Sequence, residues 1–219
     1  MDSTVIQKFA DSREWCRQFI NENALYRVAP WEKPITAKLP GGHYHWQFYT
    51  RRATHNAIFS HLVGAMFWLL FADEYKNTPF QIGGCESAGE SIACAITSAS
   101  VDIGINVNMF TIKKERKAYG LYNWTEGIID PDLPVLLVDD VAASQNTLLQ
   151  NKYLLERSGY KIYDKYFCIL DKRGEKCPGH PENLLDLTLV ALFTTDNFDL
   201  SWNDYVKAHG KEPGFRYNF

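Results

Sequence analysis

A mostly parallel β-sheet flanked by helices, an α/β fold, is the class that the sequence predicts, on three observations. Residues 134–138 form an apolar run led by a proline, with no alternation toward solvent, the pattern of a strand covered on both faces. Phe80-Gln81-Ile82-Gly83 gives way to a small, glycine-bearing loop over 84–91 and then to a helix of small residues over 92–98. Residues 166–170 form another buried strand that ends in the charged stretch Asp171-Lys172-Arg173. Each is a strand that stops where chemistry can begin.

The other elements follow from spacing. Val5, Phe9, Cys16, Phe19 and Ile20 share one helical face behind Asp2 and Ser3, predicting an amphipathic helix to about Asn21 that serves as a lid or dimer element. Pro30, Pro34, Pro40 and Gly41-Gly42 punctuate the next stretch, and residues 44–49 are expected as a strand with alternating ring and polar faces. Ile58, Leu62, Ala65, Met66 and Leu69 recur at helical spacing, so residues 53–75 are expected as one long core helix. A third strand is expected over 105–112. After the central strand a short loop leads into a helix over 147–158, with Gly159 as its stop, and a final strand is expected over 187–195. This divides the chain into a helix and hood at 1–52, an α/β core at 53–200 and an aromatic, polar tail at 201–219, within one compact domain.

Bulk properties exclude several classes. At 219 residues the chain can bury a full core without metals or disulfides. A net charge of −3 argues against a nucleic-acid partner gripped by phosphate neutralisation. Cys16, Cys85, Cys94, Cys168 and Cys177 are odd in number and widely spaced, which reads as reduced thiols in a cytoplasmic protein. No charged-then-apolar leader opens the chain, and the apolar stretch 62–72 is too short to span a bilayer, so no membrane partner is expected. The aromatic share of 14% suggests a large core or a protomer interface. His43 and His45 have a spacing that can ligate metal, but in an aromatic strand a structural or substrate-facing role is favoured.

The chemistry gathers at Leu136-Leu137-Val138-Asp139-Asp140-Val141-Ala142-Ala143-Ser144-Gln145-Asn146-Thr147. An unpaired buried carboxylate costs several kcal/mol, so at least one of Asp139 and Asp140 must face a ligand, a cation or water. The hydroxyls of Ser144 and Thr147 and the positive end of a helix suit a phosphate. The diacid beside them suits the vicinal hydroxyls of a ribose. Upstream, the 84–91 loop nearly spells a nucleotide-binding P-loop, but Glu90 occupies the lysine position and would repel phosphates, which excludes that reading. No glycine triplet supports a dinucleotide fold. The run Lys113-Lys114-Glu115-Arg116-Lys117, set between a strand and the glycine-bearing stretch 120–127, could supply cations to an anionic leaving group while excluding water.

These residues also carry a resemblance. The acidic strand end and its loop resemble the phosphoribosyl diphosphate (PRPP) signature of the type I phosphoribosyltransferases, and the loop Glu86, Ser87, Ala88, Gly89 is similar to their diphosphate-binding loop. Lys-Lys-x-x-Lys-x-x-Gly at 113–120 resembles the catalytic loop of orotate phosphoribosyltransferases, and Asp171-Lys172-Arg173-Gly174-Glu175 resembles a base-contacting segment of that subfamily. The likeness covers roughly 53–196. Departures fall at Ala88, where lysine is frequent, at Tyr119 for histidine, at Ala143 for threonine, at Lys172 for arginine, and at Gln145 and Asn146, where small residues are common.

The resemblance implies a Rossmann-like core with a small amino-terminal hood, and a Mg²⁺-dependent transferase that moves ribose 5-phosphate from PRPP to a nucleobase-like acceptor, orotate first, releasing diphosphate. It implies Lys114, Lys117, Asp139 and Asp140 as catalytic residues. PRPP is expected on residues 86–89, Lys113, Lys114, Lys117, the diacid, Ala142, Ala143, Ser144, Gln145, Asn146 and Thr147. Ala143 and Lys172 are expected at the base, and the diacid at the metal, directly or through water. A homodimer sharing the basic loop between its active sites is implied as well. The alternative is a sensor of PRPP or nucleotides on the same fold that lacks transferase activity.

Overall fold

The structure is a computed structural model that describes residues 3–29, 31–33, 35–36, 43–114, 124–173 and 184–200. Helix α1 (Ser3–Phe19) runs into a π-helical turn, Ile20–Ala24. Four short strands follow: β1 (Leu25–Arg27), β2 (Ile35–Thr36), β3 (His43–Tyr44) and β4 (Trp46–Phe48). β1 pairs with β4 and β2 with β3, both antiparallel, so the strand expected over 44–49 is divided at His45 between two small sheets. Residues 38 and 41–42 of the expected hood lie outside the described residues.

The long helix expected over 53–75 is two helices, α2 (Thr50–Thr54) and α3 (Ala57–Asn77). Asn56 breaks them apart: its backbone is extended at φ −89°, and its side chain accepts the Phe59 amide at 3.0 Å. An asparagine immediately ahead of an apolar helical run is a start signal, which periodicity alone had overrun. With 21 residues, α3 is also long and apolar enough, by length and composition, to cross a membrane, a correction to the shorter stretch read from the sequence. In this fold that apolar surface covers a sheet. Phe59, Val63, Met66, Phe67, Trp68 and Phe71 are buried, and Phe67 meets Phe80 and Phe167 edge-on, with centroids 6.3 and 5.2 Å apart.

The central sheet contains β5 (Gln81–Cys85), β6 (Met109–Ile112), β7 (Thr125–Gly127), β8 (Val135–Ala142), β9 (Ile162–Asp171) and β10 (Thr188–Thr194), in the order β10-β9-β8-β5-β6-β7. All its pairings are parallel except β6 with β7. β8 is the strand expected to be covered on both faces. Leu136 and Val138 join the core under α3 and α4 (Ala88–Ser100), whereas Val135 and Leu137 join the core under α5 (Asn146–Arg157). A residue pair of opposite facings therefore reads as one uninterrupted apolar run.

α1 lies along α3, and Arg13 fastens it to the sheet edge by donating to the Leu192 carbonyl at 2.8 Å and standing 5.0 Å over the Phe193 ring. The helix expected as a lid or dimer element is thereby fixed to the body of the domain. Glycine spacing sets how closely the helices approach. A Cβ on Gly64 would sit 2.3 Å from the Ala95 carbonyl oxygen, and one on Gly89 would sit 2.4 Å from that of Val138. The α3–α4 and α4–β8 crossings both require a missing side chain.

Candidate active site

The order of the sheet fixes where a ligand can sit. From β5 the chain first moves outward to β6, then returns to place β8 on the opposite side of β5, so the connections diverge between β5 and β8. In open α/β sheets the crevice beyond the carboxyl ends of two such strands is the binding position. Here it is a cleft of about 510 Å³. Glu86, Ser87 and Ala88 enter it from the end of β5, Lys114 from the end of β6, Asp139, Asp140 and Val141 from β8, and Thr147 from the start of α5.

The carboxylate pair lies inside β8, because the strand continues to Ala142 and pairs Asp139 with Cys168 and Ala142 with Asp171. Asp139 accepts the amide of Asp140 at 2.9 Å, and Asp140 accepts the hydroxyl of Thr50. Burial, then the neighbouring Asp140 charge, push the Asp139 carboxyl well above the usual carboxylate range. Burial together with the nearby Asp139 charge likewise pushes the Cys85 and Cys168 thiols well up. Two acids and two thiols in so small a space favour arrival of a cation or of hydroxyl donors.

Two helices point their amino ends at this region without a side-chain cap. α4 begins directly after Glu86-Ser87, four residues earlier than expected, so the glycine loop is a tight turn containing a cis Glu86–Ser87 peptide. Neither Ser87 before α4 nor Gln145 before α5 caps its helix through its side chain. First-turn amides left in this way attract anions.

Several expected contributors stand elsewhere. A Cβ on Gly89 would run into the Val138 carbonyl, so the α4–β8 approach by itself requires glycine there. Lys113 is buried and paired with Glu126 on β7, where its amide also meets the Trp124 carbonyl at 2.9 Å, so its charge is turned from the cleft. Successive side chains of an extended segment point to opposite sides, which is why Lys114 reaches the cleft and Lys113 does not. Lys114 is itself held in place by its amide, which donates to Glu86 at 3.0 Å.

Ala143, Ser144 and Gln145 form the turn between β8 and α5, and neither they nor the flanking Ala142 and Asn146 are among the residues that line the cleft. Ala142 is fully buried and accepts the Lys172 amide at 2.8 Å. Gln145 occupies the left-handed region at φ 59°, with its side chain turned under β9 to accept the Tyr166 hydroxyl at 3.0 Å, while Asn146 points to solvent. Neither side chain narrows the turn ahead of α5. The Lys172 ammonium stands 4.8 Å over the Trp46 ring and is not among the residues that line the cleft. Lys117, Tyr119, Gly174 and Glu175 lie outside the described residues.

The wall opposite the diacid was not foreseen. Phe48, Tyr49, Thr50, Arg51 and Arg52, from the end of β4 and the start of α2, line the cleft. Arg51 Nη2 donates to Ser87 Oγ at 2.5 Å. Two adjacent arginines between a short strand and a long helix carry no local signal of their own, so only the tertiary fold brings them to notice.

No family model matches the chain. Among curated proteins it is 31% identical over 84 residues to the orotate phosphoribosyltransferase of Tropheryma whipplei (strain Twist), covering 37% of this chain and 38% of that protein. It is 32% identical over 115 residues to that of Corynebacterium glutamicum (strain R), covering 51% and 58%, and 28% identical over 144 residues to that of Methanocaldococcus jannaschii, covering 65% and 76%. The chain thus spans 38% and 58% of the length of the first two relatives. In structure it superposes on Mycobacterium tuberculosis orotate phosphoribosyltransferase in complex with Fe(III) dicitrate, with a TM-score of 0.68 and 20% identity, covering 86% of this chain and 99% of that one. The PRPP complex of the M. tuberculosis protein gives a TM-score of 0.65 at 18% identity, covering 86% and 99%.

The fold is that of the type I phosphoribosyltransferases, and the sequence is similar to members of that family over part of their length. Within that family, the curated relatives it matches carry the name orotate phosphoribosyltransferase.

Proposed function

We propose that the protein transfers ribose 5-phosphate from PRPP to a nucleobase-like acceptor, with orotate as the first candidate, and releases diphosphate. The observation that carries this reading is the Asp139–Asp140 pair, which opens from the central strand into a cleft walled by cations and by two helix amino ends without side-chain caps. Acids there suit ribose hydroxyls. The amino end of α5 with Thr147 suits the 5-phosphate, and the turn at Glu86–Ala88 suits the diphosphate. Displacement at the anomeric carbon develops positive charge on the sugar as negative charge leaves, so alignment between an acidic and a basic wall is the main catalytic task. Lys114, which lines the cleft, would meet the leaving group. Phe48 and Tyr49 offer apolar surface to a flat base.

Mg²⁺ belongs to this proposal. No group of three or more His, Cys, Asp or Glu is assembled among the described residues, so the chain offers no complete cage of its own. A carboxylate pair in which burial holds the Asp139 carboxyl well above the usual range fits an ion that prefers oxygen ligands and keeps several waters. Asp139 and Asp140 would hold it together with substrate oxygens, and it would supply charge neutralisation on the diphosphate. A cytoplasmic homodimer sharing its basic segment between clefts extends the proposal, and sedimentation followed by mixing of two differently inactivated variants tests it.

Calorimetric titration with PRPP and magnesium chloride, then assay of diphosphate release against a panel of bases, tests the function. Binding with release on orotate supports the proposal. Binding without release for any base would favour a sensor, a reading to which the Ala88 and Lys172 departures lend weight. Asp139→Asn combined with Asp140→Asn is expected to abolish both binding and turnover, and full activity in that variant would overturn the assigned roles.

A further inference from the structure

We infer that Arg51 is the side chain that grips the diphosphate of the substrate, supplied across the cleft from α2 because the first turn of α4 provides no cation. This rests on the transferase reading above and adds a residue that the sequence did not point to.

The argument is one of charge and place. Around the turn assigned to diphosphate the side chains are Glu86, Ser87 and Ala88, followed by Gly89 and Glu90 in the first turn of α4. An anion as dense as diphosphate cannot be held there against two carboxylates by backbone amides alone. Of the cationic side chains that line the cleft, Arg52 stands 5.8 Å from the centre of the Tyr49 ring, and Lys114 enters from β6 on the side of Glu86. Arg51 differs from both. Its Nη2 already rests on Ser87 Oγ at 2.5 Å, so its guanidinium lies against the turn itself. A guanidinium carries five donors in a planar fork matched to paired phosphate oxygens, and a serine hydroxyl occupies one of them. The same contact closes the cleft from the α2 side, so an anion seated on the turn meets Arg51 from one wall and Lys114 from another, with the diacid left to the sugar.

The test compares three proteins, the parent, Arg51→Gln and Arg51→Lys, by calorimetry with inorganic diphosphate, ribose 5-phosphate and PRPP, each in magnesium chloride. Circular dichroism and thermal melting verify that the folds match. Arg51→Gln is expected to weaken diphosphate and PRPP binding by roughly 10- to 100-fold, the loss of one or two charge-assisted hydrogen bonds, and to leave ribose 5-phosphate within about twofold of the parent. Arg51→Lys is expected to recover only part of the loss, since an ammonium cannot make the bidentate contact. Diphosphate affinity unchanged in Arg51→Gln overturns the inference, as does equal weakening of diphosphate and ribose 5-phosphate, which signals a general loss of positive charge. A parent that binds neither PRPP nor diphosphate overturns the transferase reading itself and this inference with it.

Discussion

Thr50, in the short helix α2, donates its hydroxyl to Asp140 on the central strand, 90 positions further along the chain. This bond ties the amino-terminal wall of the cleft to its acidic floor and orients one carboxylate of the pair. Thr50→Val removes the donor while nearly keeping the shape. PRPP affinity is expected to fall about 3- to 10-fold, the worth of a single hydrogen bond, with little change in melting temperature. Titration calorimetry measures it, and undiminished affinity would show that the bond does not order the acid.

Asp139 makes stability depend on pH in a direction opposite to most surface carboxylates. Its folded pKa lies well above the ordinary value of 3.8, so the native state holds the proton more tightly than the unfolded chain does. The favourable contribution is therefore complete below 3.8 and is lost as pH rises through the raised value. Asp139→Asn, which never ionises, is expected to be more stable than the parent at pH 7 by about 1 kcal/mol or more, with the gap closing toward pH 4. Urea unfolding at both pH values checks it. The same variant is expected to lose PRPP binding, a case of stability given up for a site.

How much of this was legible follows from the range of each signal. The strand–loop–helix order, the acidic strand end and the small residues behind it are local, and local pattern reads them. The Thr50 and Arg51 wall is not local, because the segment after β4 reaches the cleft only when α3 packs on the sheet. Gly89 illustrates an ambiguous signal. A glycine near a phosphate loop can serve a ligand or a close backbone approach, and the 2.4 Å between an added Cβ and the Val138 carbonyl oxygen shows that the approach alone demands it. Gly89→Ala is expected to destabilise the fold by roughly 2–4 kcal/mol, because neither backbone can yield cheaply. A variant that melts like the parent but loses diphosphate would return Gly89 to its sequence-derived role.

Gln145 combines a cost and a compensation at one position. Its left-handed backbone is unfavourable for a residue with a Cβ, yet its side chain satisfies the buried Tyr166 hydroxyl. Gln145→Ala keeps the strain and loses the bond, so a loss of about 1–2 kcal/mol is expected. Gln145→Gly loses the bond but relieves the backbone, and is expected to be about 1 kcal/mol more stable than the alanine variant. Paired denaturant titrations give the difference directly. Equal stabilities would mean that the turn relaxes out of the left-handed region once the glutamine is gone.

Lys113 and Lys114 are adjacent in sequence and separate in role, so a pair of variants distinguishes structure from chemistry. Lys113 is 8% exposed and paired with Glu126, whose side chain is 57% exposed. Removing the acid leaves a buried ammonium without this carboxylate, so Glu126→Gln is expected to cost about 1–2 kcal/mol of stability, less than for a wholly buried pair. Its effect on PRPP affinity should be within about twofold. Lys114, by contrast, lines the cleft and is largely exposed, so Lys114→Met is expected to leave the melting temperature within a few degrees while reducing turnover by roughly 100-fold or more, as for loss of a charged transition-state contact. Thermal melting and diphosphate release, run on both variants, give a crossed result if the assignment is correct. Should Glu126→Gln abolish turnover without destabilising the fold, the pair would belong to the active site and the two lysines would act together.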